Sequence, residues 1–176
     1  MSADGRERGA HAVRLEPYSA EDIALTEALE CDPEVMRGLG GPVPKDEIPA
    51  IHRRRLAAVA GGEWWFKVVP DPPGPIAGTI GIWETDWNGS PIHEIGWMLL
   101  PAFHGRGIGS AALEAILARA RSDPRFERIH AFPATSNAAS NALCRKFGFV
   151  HLGECDGGYR NRPLRCNHWE LGLAPA

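Results

Sequence analysis

The sequence predicts an α+β fold in which a mixed sheet of about six to seven strands carries helices on both faces. The chain has 176 residues, 44% of them hydrophobic and 23% charged, which is typical of a globular domain with a sizeable core. Strand-like apolar runs follow one another between residues 63 and 100. Strand and helix patterns then alternate between residues 111 and 173, as crossover connections require. Residues 1–10 are polar and are expected to be flexible, and residues 11–176 are expected to form a single domain.

The first half of the chain contains short elements separated by glycine- and proline-rich turns. Ser19 and Asp22 form a capping-box pattern that opens a helix. The glycine pair 61–62 ends a second helix, on which the arginine run 53–55 is expected to fan out as a solvated face. The predicted elements are a strand at residues 11–15, helices at 19–30 and 46–60, and strands at 64–69, 76–83 and 92–100, with loops at 31–44 and 86–91.

In the second half, apolar residues at helical spacing alternate with short strand-like runs. A set of apolar side chains between residues 111 and 121 marks one face of a helix. The predicted elements are helices at 111–121 and 137–147 and strands at 128–132, 149–154 and 165–173. No internal repeat is present in the sequence, so a repeat array is excluded.

Charge and composition exclude several classes of partner. Lysine and arginine total 19 against 22 aspartate and glutamate residues, so the net charge of −3 provides no global positive field for nucleic acid or anionic lipid. No apolar stretch approaches the ~18 residues of a membrane span and the N-terminus lacks the apolar core of a secretory signal, so the expected location is the cytoplasm. The four cysteines include no C-x-x-C pair and are expected to be reduced thiols rather than metal ligands.

A glycine cluster connects a strand to a helix and has the composition of an anion site. The connection reads LLPAFHGRGIG and contains Gly105, Gly107 and Gly109. Glycine lets the backbone adopt positive φ and approach a ligand, while the first N–H groups of the next helix have no internal partners. These donors and the helix dipole suit a phosphate or pyrophosphate, to which Arg106 can add a charge-assisted contact.

Two common nucleotide motifs do not match this loop. The chain contains no G-x-x-x-x-G-K-(S/T), which excludes a phosphate-binding loop of the NTPase type. The dinucleotide pattern G-x-G-x-x-G would need a third glycine where Ser110 stands, and no acidic residue follows at the ribose-binding distance. The loop therefore binds another phosphate ligand or serves only as a tight turn.

Two motifs of the chain resemble the GNAT superfamily of acyl-CoA-dependent N-acyltransferases, in particular its ribosomal-protein and aminoglycoside acetyltransferase branch: EIGWMLLPAFHGRGIG and SNAASNALCRKFGF. The family's loop pattern (Q/R)-x-x-G-x-(G/A) is met at residues 104–109, with His104 departing from the first position. The pattern N-x-x-(S/A)-x-x-(L/F)-Y-x-(K/R)-x-G-F is met at residues 137–149, with Cys144 in place of the tyrosine. The resemblance covers about residues 10–173 and is strongest where these motifs lie.

This resemblance implies a sheet that splays between strands four and five, with the pantetheine arm of coenzyme A in the gap. Acetyl-CoA is therefore the expected co-substrate, and no metal is expected. The loop would hold the pyrophosphate mainly through backbone N–H groups, and Asn137 would contact the pantetheine amide, serve as a helix N-cap, or do both. The coenzyme-binding residues implied in this way are Met98, Leu99, His104, Gly105, Arg106, Gly107, Ile108, Gly109, Ser110, Asn137 and Ser140.

Acyl transfer to an amine needs a proton acceptor, because an ammonium ion has no lone pair for attack. Glu94, on the strand that leads to the loop, is the family-consistent candidate for the general base, and its alternative role is an outward-facing strand residue. The neighbouring His93 would point to the opposite face. Cys144 stands where the family's tyrosine would protonate the leaving thiolate. A thiol is acidic enough for that role, but the side chain is much shorter than that of tyrosine, and the alternative is a small buried thiol on the apolar face of the helix.

Aromatic and acidic residues near the end of one strand form the candidate acceptor site. Trp83, Glu84 and Trp87 make a cluster that suits a cationic amine, although tryptophan is also a common core residue. The resemblance places Trp97 near the acyl thioester. The glycine-rich segment 156–163 would either fold over the acceptor or simply connect two strands.

The sequence thus predicts an N-acetyltransferase that moves an acetyl group from acetyl-CoA to a primary amine of a small molecule or a protein N-terminus by direct attack. The alternative is a non-catalytic acyl-CoA-binding sensor, in which Cys144 marks the loss of an acid catalyst. The expected partners are an acyl-CoA and an amine acceptor, with no nucleic acid and no membrane. A monomer and a homodimer are both compatible with this pattern.

Overall fold

The computed structural model describes residues 12–71 and 74–173. Its strands are β1 (Val13–Pro17), β2 (Trp64–Pro70), β3 (Gly78–Trp87), β4 (Ser90–Leu99), β5 (Arg128–Ala131), β6 (Val150–Tyr159) and β7 (Arg162–Gly172). Its helices are α1 (Ile23–Glu30), α2 (Ile48–Ala60), α3 (Ile108–Ala120) and α4 (Ala138–Lys146). The strands form one sheet in the order β1-β2-β3-β4-β5-β7-β6. The segment 1–10, predicted to be flexible, lies outside the described residues.

The sheet is mixed because one central pair of strands is parallel. β1 to β4 form an antiparallel meander, and β7 lies between β5 and β6, antiparallel to both. The parallel strands β4 and β5 pair only at Glu94 and His130. Beyond this pair they diverge, so residues 97–99 have no described strand beside them on that edge. The predicted mixed sheet and its splay between strands four and five are confirmed.

Helices cover both faces of the sheet, as predicted. On one face, Leu113 and Ile116 of α3 are fully buried in the same cluster as Ile80 of the sheet. On the opposite face, Ile51 of α2 belongs to a separate apolar cluster that Met98 of β4 joins. Burial of such side chains contributes about 1.5–3 kcal/mol each, so both faces of the central strands are anchored. None of the helices within residues 12–71 and 74–173 is long and apolar enough to cross a membrane.

Two hairpins run further than the sequence pattern predicts. The expected loop at residues 86–91 is instead a two-residue turn between β3 and β4. Asn88 and Gly89 have φ of 54° and 81° there, the left-handed values that close a tight hairpin. The β6–β7 hairpin turns in the same way at Arg160 and Asn161, with φ of 51° and 64°. Polar turn residues predict longer loops in both places, whereas each antiparallel pair continues to the last residue before the turn.

Other differences concern the region before and within α2. The predicted loop at residues 31–44 contains a short 3-10 helix, Val35–Leu39. Arg55 is not on a solvated face, because only 5% of its side chain is exposed and it forms an ion pair with a buried carboxylate. The predicted capping box of Ser19 and Asp22 is confirmed.

Candidate active site

A cleft of about 1090 Å³ opens where β4 and β5 diverge. One end, the loop end, is formed by residues 103–105 and 107–110 and by the start of α4. The other end, the far end, is formed by Arg54, Arg55, Trp65, Trp83 and Glu94, with the tip of the β6–β7 hairpin as a further wall. The splay of the sheet therefore joins two differently built surfaces in a single cleft.

The loop between β4 and α3 presents backbone donors. Gly105 and Gly107 have φ of 69° and 78°, and nothing lies within 4 Å of the position that a Cβ would take at either residue. Gly107 is the N-cap of α3 and has no side chain that could bond to the first N–H groups of the helix. Those N–H groups and the helix dipole are available to an anion at this end of the cleft.

Most of the predicted loop residues line the cleft, and one does not. The lining includes His104, Gly105, Gly107, Ile108, Gly109 and Ser110. The Nε2 atom of His104 lies 2.9 Å from the carbonyl oxygen of Leu99, which holds the loop against the end of β4. Arg106 is outside the lining, because its guanidinium lies 5.6 Å from the ring of Phe103 and donates to the carbonyl of Ala102 at 3.4 Å. The structure therefore does not support a contact from Arg106 to the anion.

Asn137 and Ser140 stand at the start of α4 and line the cleft together with Met98 and Leu99. The Oδ1 atom of Asn137 accepts a hydrogen bond from the backbone N–H of Ser140 at 3.0 Å, which is an N-cap. This cap uses only the oxygen of the amide group. The nitrogen Nδ2 remains for a ligand, so the two predicted roles of Asn137 are compatible.

Glu94 lies at the point where β5 leaves β4, and it lines the cleft. Burial raises the pKa of Glu94 from 4.5 to about 7, and a hydrogen bond with Trp83 lowers it in part. A carboxyl group with such a pKa exchanges a proton near neutral pH, as a general base must. His93 points to the opposite face of the sheet, where its ring packs 4.9 Å from that of Phe126.

Cys144 lies outside the cleft. Its side chain is fully buried in the core on the inner side of α4. Burial raises the pKa of the Cys144 thiol to about 12, so it is a much weaker acid than an exposed thiol. The structure therefore favours the buried core position for Cys144 over the role of acid catalyst. Within residues 12–71 and 74–173, no three His, Cys, Asp or Glu side chains are grouped as metal ligands are.

Two tryptophan rings form the floor of the far end. Trp65 of β2 and Trp83 of β3 stack with their ring centroids 4.9 Å apart and an interplanar angle of 8°. Each ring crosses a neighbouring strand where that strand carries glycine. A Cβ at Gly81 would lie 3.1 Å from the Trp65 ring, and a Cβ at Gly96 would lie 2.6 Å from the Trp83 ring. The close approach of rings and backbone thus depends on glycine at these two positions.

Of the other predicted acceptor residues, one lines the cleft and two do not. Trp97 lines the cleft, although it also packs against the main core. Glu84 is not part of the lining, because alternation along β3 directs it to the face opposite Trp83. Trp87 is also outside the lining and packs 4.6 Å from the ring of Phe132. The structure therefore supports Trp83 and Trp97 as candidate acceptor residues, and it does not support Glu84 or Trp87.

Arg55 is a cleft residue that the sequence analysis did not single out. It follows Ile48 and Ile51 at the spacing of one helix face, and all three side chains are buried. This periodicity is the signal that could have identified it within the arginine run. The guanidinium of Arg55 lies over the ring of Trp65, 5.0 Å from its centroid.

The tip of the β6–β7 hairpin is held against the first helices. The Tyr159 hydroxyl donates to Oε1 of Glu30 at 2.7 Å, and Arg160 donates to Oε2 of Glu47 at 2.7 Å. Arg162 donates to main-chain carbonyls in the loop that follows the 3-10 helix. Since Tyr159 and Arg160 line the cleft, this segment both connects two strands and forms a wall of the site.

A family model described as an acetyltransferase (GNAT) domain matches residues 12–150. The fold is similar to that of a GNAT-family acetyltransferase from Bacillus anthracis, with a TM-score of 0.74 and 19% identity over 93% of this chain and 96% of that one. It is also similar to spermidine N-acetyltransferase from Vibrio cholerae, solved with CoA and spermine (TM-score 0.74, 15% identity, 93% and 96% covered). A third similar structure is the Salmonella typhimurium acetyltransferase that modifies the N-terminal serine of ribosomal protein L7/L12 (TM-score 0.73, 18% identity, 93% and 96% covered).

Proposed function

Because the chain belongs to the GNAT acetyltransferase family, we propose that its cleft binds acetyl-CoA and a primary amine and that Glu94 is the general base. The chain is an acyl-CoA-dependent N-acetyltransferase, and acetyl-CoA is its co-substrate. The acceptor is a primary amine of a small molecule or of a protein N-terminus, which attacks the acyl group directly. The observation that carries this proposal is a carboxyl group with a pKa of about 7 in the cleft, at the residue where two strands part.

Two of the similar structures support a primary amine as the acceptor class. The Vibrio cholerae enzyme acts on spermidine, and the Salmonella typhimurium enzyme modifies an N-terminal serine. Both acceptors present a primary amine on otherwise different molecules. Because the two acceptors share only the primary amine, they support an amine as the reacting group. In this proposal, the far end of the cleft determines which molecule carries that amine.

The loop end fits coenzyme A. Gly105 and Gly107 leave open space above the backbone, and the uncapped start of α3 offers N–H donors to a pyrophosphate. No described strand pairs with residues 97–99 on the side away from β3, where the Leu99 carbonyl oxygen contacts His104 Nε2, so an extended arm can bind along the remaining backbone groups as an added strand does. Coenzyme A supplies the acetyl group as a thioester when it is bound.

Glu94 accepts a proton from the incoming ammonium at a carboxylate oxygen, directly or through one water. With a pKa of about 7, it is ionised in about half of the molecules at neutral pH. The backbone N–H of Leu99, at the splayed end of β4, is the candidate donor for an oxygen that gains negative charge, because the N–H of Met98 faces β3. Together these groups deprotonate the amine and stabilise charge on the acyl oxygen.

Neither Cys144 nor Tyr159 is suited to protonate the leaving thiolate. Cys144 is buried outside the lining. Tyr159 is in the lining, but its hydroxyl already donates to Glu30, and burial raises its pKa. A thiolate of coenzyme A leaves without a proton more readily than an alkoxide would, so solvent is a sufficient proton source in this proposal.

The proposed function is tested by release of free coenzyme A from acetyl-CoA in the presence of polyamines, amino acids and short peptides. We expect amine-dependent release, and we expect Glu94→Gln to lower kcat at neutral pH more than it changes acetyl-CoA affinity. Glu84→Gln is the matched control, because it makes the same change outside the lining. Binding of acetyl-CoA without turnover of any amine would instead support the sensor, and equal kinetics of the two variants would remove Glu94 as the base.

A further inference from the structure

The far end of the cleft contains buried hydrogen-bond donors without an acceptor. Arg55 Nη1 and Trp65 Nε1 are both buried, and neither has a partner within residues 12–71 and 74–173. Both residues line the cleft, and the Cζ atom of Arg55 lies 5.0 Å from the centroid of the Trp65 ring, so the two side chains that carry these donors are neighbours. A buried donor without an acceptor costs free energy. An acceptor group of a ligand that reached both atoms would remove that cost.

The contacts of Arg55 explain why one of its nitrogens is left over. Only 5% of the Arg55 side chain is exposed, and its Nη2 donates to Oε1 of Glu30. The Tyr159 hydroxyl donates to the same oxygen at 2.7 Å, so the guanidinium is held in a fixed position. The second oxygen of Glu30 is also buried and unpaired in the described part of the chain. Glu30 does not line the cleft, however, so the open groups that the cleft itself presents are donors.

Further arginine side chains lie around Arg55 and Trp65 in the lining of the far end. Arg54 lines the cleft beside Arg55 and forms no ion pair with any residue that the structure describes. Arg160, on the hairpin tip, uses Nη2 in an ion pair and has a buried, unpaired Nη1. The carboxylates of this part of the lining are Glu63 and Glu94, and burial favours the neutral form of Glu94. An anion at the far end therefore meets Arg54, which has no ion pair in the described part of the chain, and free Nη1 donors on the ion-paired Arg55 and Arg160.

We propose that the acceptor is a primary amine that also carries a carboxylate, and that Arg55 and Trp65 bind this carboxylate while the amine lies beside Glu94. This inference rests on the proposed function and names the class of its acceptor. Guanidinium and indole N–H groups are donors with no acceptor capacity, so they select an oxygen anion and disfavour a second ammonium. Hydrogen bonds to an ionised acceptor are also stronger than those to a neutral carbonyl, which favours a carboxylate over an amide.

The stacked rings set the spacing between the amine and the carboxylate. The Arg55 guanidinium lies 5.0 Å from the centroid of the Trp65 ring, and that ring lies 4.9 Å from the ring of Trp83, which is paired directly with Glu94 across β3 and β4. The carboxylate site is thus two stacked rings away from the base. An extended dipeptide separates its amine from its carboxylate by about 7 Å, whereas an α-amino acid is much shorter. The acceptor class is therefore a dipeptide or an amino acid whose amine and carboxylate are several bonds apart.

The first experiment compares amines that differ only in the carboxylate. The pairs are 5-aminopentanoate with pentylamine and glycylglycine with glycylglycinamide, with acetyl-CoA as the donor and release of coenzyme A as the readout. We expect kcat/KM to be at least about tenfold higher for the acid of each pair, mainly through a lower KM for the amine. Equal values within both pairs would overturn this inference and leave acetyl transfer, the proposed function, in place.

The second experiment removes one donor and keeps the ring. Trp65→Phe loses the indole N–H but can still stack on Trp83, and we expect it to reduce the preference for the acid at least about fivefold by raising its KM. The matched control is Trp64→Phe on the other face of β2, where the ring packs 4.8 Å from Phe126 and lies outside the lining. An unchanged preference in Trp65→Phe, or an equal loss in both variants, would overturn the assignment.

A binding measurement keeps the inference testable if none of these amines is turned over. N-acetyl-5-aminopentanoate and N-pentylacetamide are titrated by calorimetry into the enzyme saturated with coenzyme A. Tighter binding of the carboxylate compound supports the inference, even when the absence of turnover contradicts the proposed function. Equal binding, or no binding of either compound, overturns the inference.

Discussion

Replacement of Glu94 by glutamine tests the central chemical step through its pH dependence. Since burial raises the pKa of Glu94 to about 7, its ionised fraction rises from ~10% at pH 6 to ~90% at pH 8. If Glu94 is the general base, kcat/KM for the amine increases about tenfold over this interval for that reason alone. Glutamine cannot take the proton, so we expect the variant to lose this rise and to lower kcat about 100-fold at pH 8.

The amine acceptor also titrates, and its contribution has to be separated from that of Glu94. Two acceptors whose amine pKa values differ by about 2 are assayed from about pH 5.5 to about pH 9 by the loss of thioester absorbance at saturating acetyl-CoA. The rise due to the amine moves with the acceptor, whereas the rise due to Glu94 stays at a pKa of about 7 for both. Calorimetry with acetyl-CoA is the control for an intact coenzyme site in the variant.

The reasoning fails if the rise near pH 7 persists in Glu94→Gln, or if kcat stays within about threefold of the wild-type value. In either case another group or solvent takes the proton. Glu84→Gln, which changes a carboxylate outside the lining, is expected to keep both the pH profile and the rate of the wild type. A similar loss in Glu84→Gln would point to a general effect of charge on the domain.

Three further substitutions and one stability measurement extend these tests. Gly107→Val is expected to weaken acetyl-CoA binding at least about tenfold in calorimetry. A β-branched residue at φ of 78° costs about 1–2 kcal/mol and would obstruct the start of α3. Unchanged affinity would show that the loop does not bind the coenzyme. Cys144→Ala is expected to retain at least about a tenth of wild-type turnover, because the thiol is buried away from the cleft; a hundredfold loss in a folded variant that still binds acetyl-CoA would make Cys144 the acid. Gly96→Ala would place a Cβ 2.6 Å from the Trp83 ring and is expected to raise KM for the amine several-fold at wild-type acetyl-CoA affinity, and unchanged amine kinetics would contradict the role of the stacked rings. Because the folded state raises the pKa of Glu94, the free energy of unfolding of the wild type falls as pH rises from 4.5 to about 7. In urea unfolding, Glu94→Gln is therefore expected to be more stable than the wild type by about 1–2 kcal/mol at pH 8 and equal to it at pH 4. No difference at pH 8 would contradict the raised pKa.

Features with a local sequence signal were predicted well. The pattern at residues 64–69 corresponds to β2, which runs from Trp64 to Pro70, and the pattern at 137–147 corresponds to α4, Ala138–Lys146. The capping box before α1 is also local, because both partners lie within one turn. The glycine loop belongs to the same group, since positive φ at Gly107 and the free N–H groups that follow depend on only a few neighbouring residues.

Features that depend on strand pairing could not be predicted from the same patterns. Alternation shows that Trp83 and Glu84 face opposite sides of a strand, but it does not show which side faces the cleft. The stack of Trp65 on Trp83 requires the register of β2 on β3, which pairs Trp65 with Gly81 and which no local pattern encodes. The requirement for glycine at position 96 likewise becomes visible only in the structure, where the Trp83 ring lies against its backbone.

The burial of Arg55 has a signal in the sequence, its helical spacing from Ile48 and Ile51, but the run of three arginines predicts the opposite. A run of three arginines is typical of a solvated face, and two of the three are in fact exposed. The third lies on the helix face that Ile48 and Ile51 define, where Glu30 compensates its charge. The ion pair joins α1 to α2 across 25 residues, so no local pattern reveals it.

The two ends of the cleft form at different times during synthesis, because the β6–β7 hairpin that forms one wall of the far end is translated last. The bond from Tyr159 to Glu30 joins residues 129 positions apart, and the hairpin that carries Tyr159 is formed by the last two strands of the chain. At a translation rate of about 5–20 residues per second, the glycine loop leaves the ribosome several seconds before this tip. A nascent chain therefore has the segments for coenzyme binding before it has a complete wall around Trp65 and Trp83, and selection of the acceptor is the last property of the site to form.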